Sequence, residues 1–456
     1  MEALIEFLPL IMFVVLVPLL FSGYPVAFVL GGVGFLFWLL ALSMGLVNDR
    51  SFFLVVSRIY GGVVSNLILV AIPMFIFMGT MLERSGVARD LLTTMQLLMR
   101  RVPGGLAVAV VVLGVIMAAT TGIIGASVVM LSLLALPVMI ERGYDIPLAT
   151  GTVASAGTLG ILIPPSIMLV VMGNLLSVPI GTLFFAALVP GMLLAFLYFA
   201  YIITRVSFQP RLAPALPPSE LALTPSQFAG LIMKSFLPPV FLIALVLGSI
   251  FGGFATPTEA SGIGAAGAIV LALFRGRLSL KVLRDVTEDS ALTGAMLFGL
   301  FVGATAFSYV FALLGGHNLI VEGVGAMSTG PWSILFILML LVFVLGFFFD
   351  WIQITLIVLP VFAPVLKALD FAGHVPYEGM TVIWFAILVA VNLQTSFLTP
   401  PFGFALFYMK GVAPAGVRMQ HIYKGIIPFV LLQILGLAAI MAWPKIALWL
   451  PHHFGL

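Results

Sequence analysis

The sequence predicts an all-α polytopic membrane protein built as an inverted repeat, with two re-entrant helical hairpins and two transmembrane helices broken at Pro-Pro pairs. Three observations predict it. Hydrophobic residues make up 62% of the 456-residue chain and charged residues only 8%, so its outer face has to meet lipid. Two apolar regions have the wrong length for simple crossings, and two others carry a proline pair in their middle. Folding the odd-length regions back on themselves sorts the basic residues to one side.

The N-terminal stretch "MEALIEFLPLIMFVVLVPLLFSGYP" has Glu2 and Glu6 where a secretory signal would carry Lys or Arg, and no clear small-x-small cleavage site. It reads as a retained first helix. A crossing needs roughly 20 apolar residues. Candidates are about 4–21, 25–46, 60–82, 147–177, 181–204, 231–252, 258–274, 290–314, 380–412 and 425–449. The regions 104–140 and 331–368 are too long for one helix and too short for two comfortable spans. Each has a central interruption, "AATTGIIGAS" at 118–127 and "GFFFDWIQIT" at 346–355, and each reads as a hairpin that returns to the side it entered from.

With the N-terminus outside and both hairpins returning, fifteen of the nineteen Lys and Arg residues fall on the cytoplasmic side. Only Arg50, Arg58, Lys367 and Lys445 remain outside. Counting either hairpin as a single crossing flips every later loop and spoils that split. The Pro-rich stretch 205–230 reads as a cytoplasmic linker between halves. Each half then holds a hairpin, an amphipathic stretch with Pro, and a helix interrupted by a pair, Pro164-Pro165 or Pro400-Pro401. The first hairpin opens to the cytoplasm and the second to the outside, so the repeats are inverted.

Proline removes an amide donor and clashes with the turn before it, so carbonyls upstream of Pro164 lose their helical partners, and Gly157 and Gly160 let the chain unwind. Freed carbonyls suit a cation, and the start of the following half-helix suits an anion. A lone proline in a membrane helix is usually a kink; two matched pairs, each beside a hairpin, point to a transport site.

Other signals are weaker. "GIGAAG" at 262–267 fits the dinucleotide pattern, but no strand precedes it, and it reads, like "GGVG" at 31–34, as a small-residue packing face. Thr256 and Glu259 have capping-box spacing at a helix start. Asp350, at the apex of the second hairpin, either binds a cation or caps the hairpin's second helix, and the two roles are compatible. With no cysteine there is no disulfide or thiolate chemistry, and the five histidines lack metal-ligand spacing. Walker A, G-x-S-x-G and H-E-x-x-H sequences are absent, so energy has to come from an ion gradient or a partner. The net charge of +3 does not argue for nucleic acid, and no organic cofactor is expected. Hydroxyl-rich unwound regions supply ligand candidates: Thr120, Thr121, Ser127, Ser155 and Thr158 in the first half, Thr355, Asn392, Thr395, Ser396 and Thr399 in the second. Each of these hydroxyls can instead bond back to its own helix. An oxygen-only set suits sodium better than a transition metal.

Five stretches together resemble a known family: "ILVAIPMFIFMGTMLERSGVARDLL" (68–92), "GTLGILIPPSIMLVVMG" (157–173), "GGFATPTEA" (252–260), "GFFFDWIQITLIVLPVFAPV" (346–365) and "LQTSFLTPPFGFALFYMKGVAP" (393–414). They are similar, in order and over essentially the whole chain, to the large membrane subunit of TRAP transporters, the tripartite ATP-independent periplasmic uptake systems. The resemblance implies an elevator-type secondary transporter driven by sodium, in a bacterial or archaeal cytoplasmic (inner) membrane. Its implied partners are a separate small membrane subunit of about four helices and a periplasmic substrate-binding protein that delivers an organic anion, commonly a carboxylate. It implies scaffold helices over 1–103, a first transport repeat over 104–180, scaffold over 181–330, a second transport repeat over 331–424 and a last scaffold helix over 425–456. Sodium sites would lie where 120–127 faces 155–160 and where 346–355 faces 395–399, which adds Gly122 and the backbone at Gly157 and Gly160 to the hydroxyls and Asp350. The solute would meet Pro164, Pro165, Ser166, Asn174, Asn392, Gln394, Pro400 and Pro401. A stand-alone carboxylate or ion symporter, a membrane-embedded enzyme and a channel are the competing readings.

Overall fold

The computed structural model describes residues 5–455 apart from 100–101, 123, 216–225, 227–228, 231, 327–329, 372 and 401–402, and describes only the backbone of 119–121, 324–326 and 367–368. All regular structure among the described residues is helical, and nine helices there are long and apolar enough to cross a membrane. The chain is a multi-pass membrane protein.

The first half runs α1 (Leu8–Leu20), α2 (Val26–Ser43), α3 (Arg50–Ile59), α4 (Ala71–Arg84), α5 (Val87–Leu98), α6 (Gly105–Thr121), α7 (Ile124–Leu134), α8 (Leu136–Glu141), α9 (Ile146–Thr158), α10 (Ile167–Leu176) and α11 (Ile180–Phe208). The second runs α12 (Leu237–Phe251), α13 (Pro257–Phe274), α14 (Leu280–Leu313), α15 (Gly316–Ala326), α16 (Pro331–Leu345), α17 (Trp351–Ala368), α18 (Thr381–Leu398), α19 (Phe404–Val412), α20 (Met419–Ala442) and α21 (Lys445–His453).

Several boundaries differ from the sequence expectation. The span expected at 60–82 opens as a π-helix over Tyr60–Val64 and a 3-10 turn over Leu67–Val70, and only then becomes α4. The span expected from 290 starts at Leu280, because Ser279 caps it by accepting from the Val282 amide at 3.1 Å and the charged first turns face water. The last helix, expected over 425–449, stops at Ala442 and restarts at Lys445, since a residue before proline, here Trp443, is steered out of helical geometry. Part of the 205–230 linker lies outside the described residues; its start is helical to Phe208 and its end is a π-helix over Ile232–Phe236. Other expectations hold. Thr256 and Glu259 form the capping box, with the Thr256 amide donating to Glu259 Oε2 at 2.8 Å and the Glu259 amide donating to Thr256 Oγ1 at 3.3 Å. The 262–267 stretch is a packing face, with Gly264 against Met78 and Val246, and Gly267 against Leu242.

The two halves make the same contacts. In the first, α9 touches both α6 and α7, which meet at the turn after Thr121; in the second, α18 touches both α16 and α17. The halves also exchange elements reciprocally: α7 lies on α19, and α17 lies on α10. Outside this unit α2 lies on α14 while α13 lies on α4, with α1 beside α2 and α12 beside α13. These named pairings map onto one another when the halves are swapped, as an approximate two-fold relation between them gives. The resulting centre is dry: 89% of α18 is buried, against 28% of Ile232–Phe251 at the periphery. Large apolar side chains such as Phe28, Leu36, Phe241 and Leu431 stay exposed on the outer helices, as a lipid-facing surface requires.

Glycine sets two matched approaches. A Cβ at Gly157, near the end of α9, would meet the Val128 backbone of α7 at 3.0 Å, and one at Gly346, at the end of α16, would overlap the Ser396 side chain of α18. Outside the spans, Tyr144 fixes the first pair's entry point: its phenol oxygen accepts from the Leu106 amide at 3.1 Å, and burial pushes its pKa up, keeping it neutral.

Gly346→Val should therefore destabilise the detergent-solubilised protein by about 1–3 kcal/mol, the usual cost of overpacking. Gly248→Ala, where nothing lies within 4 Å, should leave the Tm unchanged or slightly raised. Equal melting curves for Gly346→Val and the parent would mean that the hairpin and broken helix do not meet as described.

Candidate functional site

The site is built from the two helix breaks. After Thr158 the chain tightens into one 3-10 turn over Leu159–Ile161, which contains Gly160, and then bends through Pro164 and Pro165. Ser166 restarts the helix: its hydroxyl donates to the Ile161 carbonyl at 2.5 Å and accepts from the Leu169 amide at 3.4 Å. One side chain thus serves both ends of the gap, a carbonyl that lost its partner and an amide that never had one. The second break begins at Thr399, whose backbone turns extended (φ −89°, ψ 127°), and Pro400 follows. Pro401 lies outside the described residues, and α19 starts after Gly403.

The breaks are joined. Gln394 in α18 donates from Nε2 to Thr158 Oγ1 at 3.3 Å, across 236 positions of sequence. Its Oε1 is buried with no hydrogen-bond partner among the described residues, and Thr152 Oγ1, nearly two turns before Thr158, is in the same condition. An unpaired buried acceptor is costly, and a cation or a ligand donor would satisfy it. This is the observation that makes a cation compatible with the oxygen-rich set around the breaks.

The hydroxyls divide by what they already do. Ser155 donates to the Gly151 carbonyl at 2.8 Å, Thr158 to Ser155 at 2.9 Å, Thr395 to Val391 at 2.9 Å, Ser396 to Leu393 at 2.8 Å, Thr399 to Thr395 at 2.8 Å and Thr355 to Trp351 at 2.6 Å. All are backbone bonds within the residue's own helix, which leave the oxygen lone pairs free to accept. Ser127 is buried on α7. The side chains of Thr120 and Thr121 lie outside the described residues, while Gly122 closes the α6 end in a left-handed conformation (φ 59°) and sits against Ile167, the first residue of α10.

Asp350 caps α17. Its Oδ1 accepts from the Trp351 amide at 2.8 Å, and its own amide donates to Gln353 Oε1 at 3.3 Å. Asn392 donates from Nδ2 to the Met339 carbonyl at 2.7 Å and so ties α18 to α16. Asn174 is not at a break. It sits near the far end of α10, where its Oδ1 accepts from Asn66 Nδ2 at 2.6 Å. Asn66, the cap of the Leu67–Val70 turn, escapes a sequence reading because an asparagine ahead of an apolar run signals only a helix start. Thr152 escapes for a similar reason: it lies in an unbroken part of α9. Among the described residues no group of three or more His, Asp and Glu side chains gathers as a metal site.

Comparison with known proteins agrees with this architecture. Residues 13–446 match the family described as "Tripartite ATP-independent periplasmic transporter, DctM component". The C4-dicarboxylate TRAP transporter large permease protein DctM of Pseudomonas aeruginosa is 30% identical over 391 residues, covering 85% of this chain and 87% of that one. The isethionate TRAP transporter permease protein DctMQ of Oleidesulfovibrio alaskensis is 29% identical, covering 80% of this chain and 55% of that longer one. Among solved structures, the Alcanivorax borkumensis YdaH transporter superposes with a TM-score of 0.58 over 89% of this chain and 88% of its own, at 16% identity, a likeness of fold. The chain thus belongs to the DctM family, the large permease component of TRAP transporters, and is a transporter subunit, not an enzyme.

Proposed function

We propose that this chain is the large permease subunit of a sodium-coupled importer for an organic anion of the carboxylate class, working with a small four-helix membrane subunit and a periplasmic substrate-binding protein in the inner membrane. The reciprocal exchange of α7 with α19 and of α17 with α10 carries the reading: two broken helices, each held between the arms of its own pair, converge at Gln394 and Thr158. The names of the relatives, a C4-dicarboxylate permease and an isethionate permease, favour an acid-bearing solute. The fused name DctMQ on one relative supports a small membrane subunit as a partner.

In this reading the α6–α7 and α16–α17 pairs dip into the membrane and return. The 15-residue α16 rises only about 22 Å, short of the roughly 30 Å hydrocarbon core. Sodium would be held by carbonyls of the unwound segments and by hydroxyl oxygens facing the pair turns, with Gln394 Oε1 as a further oxygen between the two regions. The anion would sit at the starts of α10 and α19, whose first amides lack helical partners. Ions and solute then stabilise each other's sites, which is what coupling requires. The interlocked α6–α10 and α16–α19 elements would move as one transport domain against the remaining helices, in an elevator cycle with the N-terminus outside.

The first test is uptake of a labelled carboxylate pool into proteoliposomes holding this chain and its small partner under an inward sodium gradient. Uptake should need both sodium and added periplasmic extract; sodium-driven uptake without extract would instead identify a stand-alone symporter. Gln394→Leu and Thr158→Val should each raise the sodium concentration for half-maximal uptake by about tenfold, the order expected for losing one charge-assisted contact. Unchanged sodium curves with unchanged melting would sink that site. Asp350→Asn should keep the cap and the Tm, since asparagine caps as well as aspartate, while weakening sodium dependence. Full sodium-driven uptake in that variant would reduce Asp350 to its capping role.

A further inference from the structure

A cavity of about 1190 Å³ lies outside the site described above, between α7 on one side and the ends of α4 and α13, the start of α5 and the Ile232–Phe236 turn on the other. Its charge is unbalanced. Five cationic residues line it, Arg84, Arg89, Lys234, Arg275 and Arg277, against two carboxylates, Glu83 and Asp90. Arg275 is anchored in place, bonding Asp90 at 2.6 Å and the Lys234 carbonyl at 2.9 Å, and its buried Nε has no hydrogen-bond partner among the described residues. Arg84 is paired with Asp289 at 3.0 Å. For Arg89, Lys234 and Arg277 no ion pair is seen among the described residues.

The rest of the wall is apolar and exposed. Leu133 of α7 is 56% exposed, Met233 59% and Phe274 84%. A small hydrophilic anion has no use for such neighbours, whereas a molecule with a phosphate at one end and hydrocarbon at the other matches both. Basic pockets between membrane helices on the positively charged side of a protein take anionic headgroups in this way. We infer that this cavity binds an anionic phospholipid, its headgroup phosphate on Arg89, Lys234 and Arg277 and its acyl chains along Leu133, Met233 and Phe274. The shared chemistry is a phosphate anion; the apolar wall selects the lipid over free phosphate. Because α7 supplies one wall and the peripheral helices the other, the lipid bridges the two.

The experiment reads binding and not uptake, so its outcome is independent of the proposed function. The full chain in neutral detergent is mixed with phosphatidylglycerol, phosphatidylcholine or inorganic phosphate, and retained adducts are measured by native mass spectrometry alongside the Tm. Phosphatidylglycerol should be retained in preference to phosphatidylcholine and raise the Tm, and Arg89→Gln/Lys234→Gln/Arg277→Gln should lose most of that preference, at about five-fold per cation removed. Leu133→Glu, at an exposed position on the opposite wall, should give the same loss without touching a cation. Equal retention in the parent and both variants overturns the site. A Tm rise of the same size with inorganic phosphate overturns the lipid in favour of a free anion.

Discussion

A backbone carbonyl or amide without a partner is costly in hydrocarbon, and two prolines in the middle of a membrane helix create several at once. The rest of this molecule is arranged around that constraint. The first break is placed deep in the protein, with residues 158–166 buried throughout, and the second follows a helix, α18, that is covered over most of its length. Each is flanked by the two arms of a helix pair, so that protein replaces water as the shield. Local chemistry does the remainder, with Ser166 bridging the first gap and Thr399 closing the helix before the second. Outer helices carry no comparable burden, and their exposed Phe and Leu side chains need only be apolar.

Much of this organisation is legible in the sequence because it follows from single-residue chemistry. Proline has no amide hydrogen wherever it stands, so Pro164-Pro165 and Pro400-Pro401 announce the breaks without any knowledge of neighbours. Thr256 and Glu259 lie three residues apart, within reach of one helix turn, and form the box their spacing predicts. What escapes is long-range pairing. Nothing local to Gln394 points to Thr158, nor anything at Asn66 to Asn174, 108 residues away. Short helices such as α3 and α5 also escape a search for crossings, since their mixed composition suits the membrane surface. The restart at Lys445 was readable in principle from Pro444, but apolar residues on either side of it mask the break.

The candidate site shows how one set of residues serves stability and binding together. The hydroxyls of Ser155, Thr158, Thr395 and Thr399 each give their hydrogen to a carbonyl of their own helix, which keeps acceptor capacity on the oxygen, and Thr158 already uses part of it for Gln394. Asp350 likewise satisfies amides at the start of α17 while holding a carboxylate at the pair turn. The hydroxyls give a hydrogen to the helix and Asp350 uses only part of its acceptor capacity, so a residue pattern chosen for helix ends does not exclude ligation. Only Gln394 Oε1 and Thr152 Oγ1 in this neighbourhood have no structural partner among the described residues.

The exchange of α7 onto α19 and of α17 onto α10 has a mechanical consequence. Two halves that merely touched along one face could slide or hinge independently, each with its own soft mode. Halves that each clasp a limb of the other behave like linked fingers: displacing one drags its counterpart, and the soft modes of the separate parts are removed. In the proposed transport cycle the interlocked centre would therefore move as one body against the helices around it. An ion or solute held at either break, as proposed, would then act on that same body.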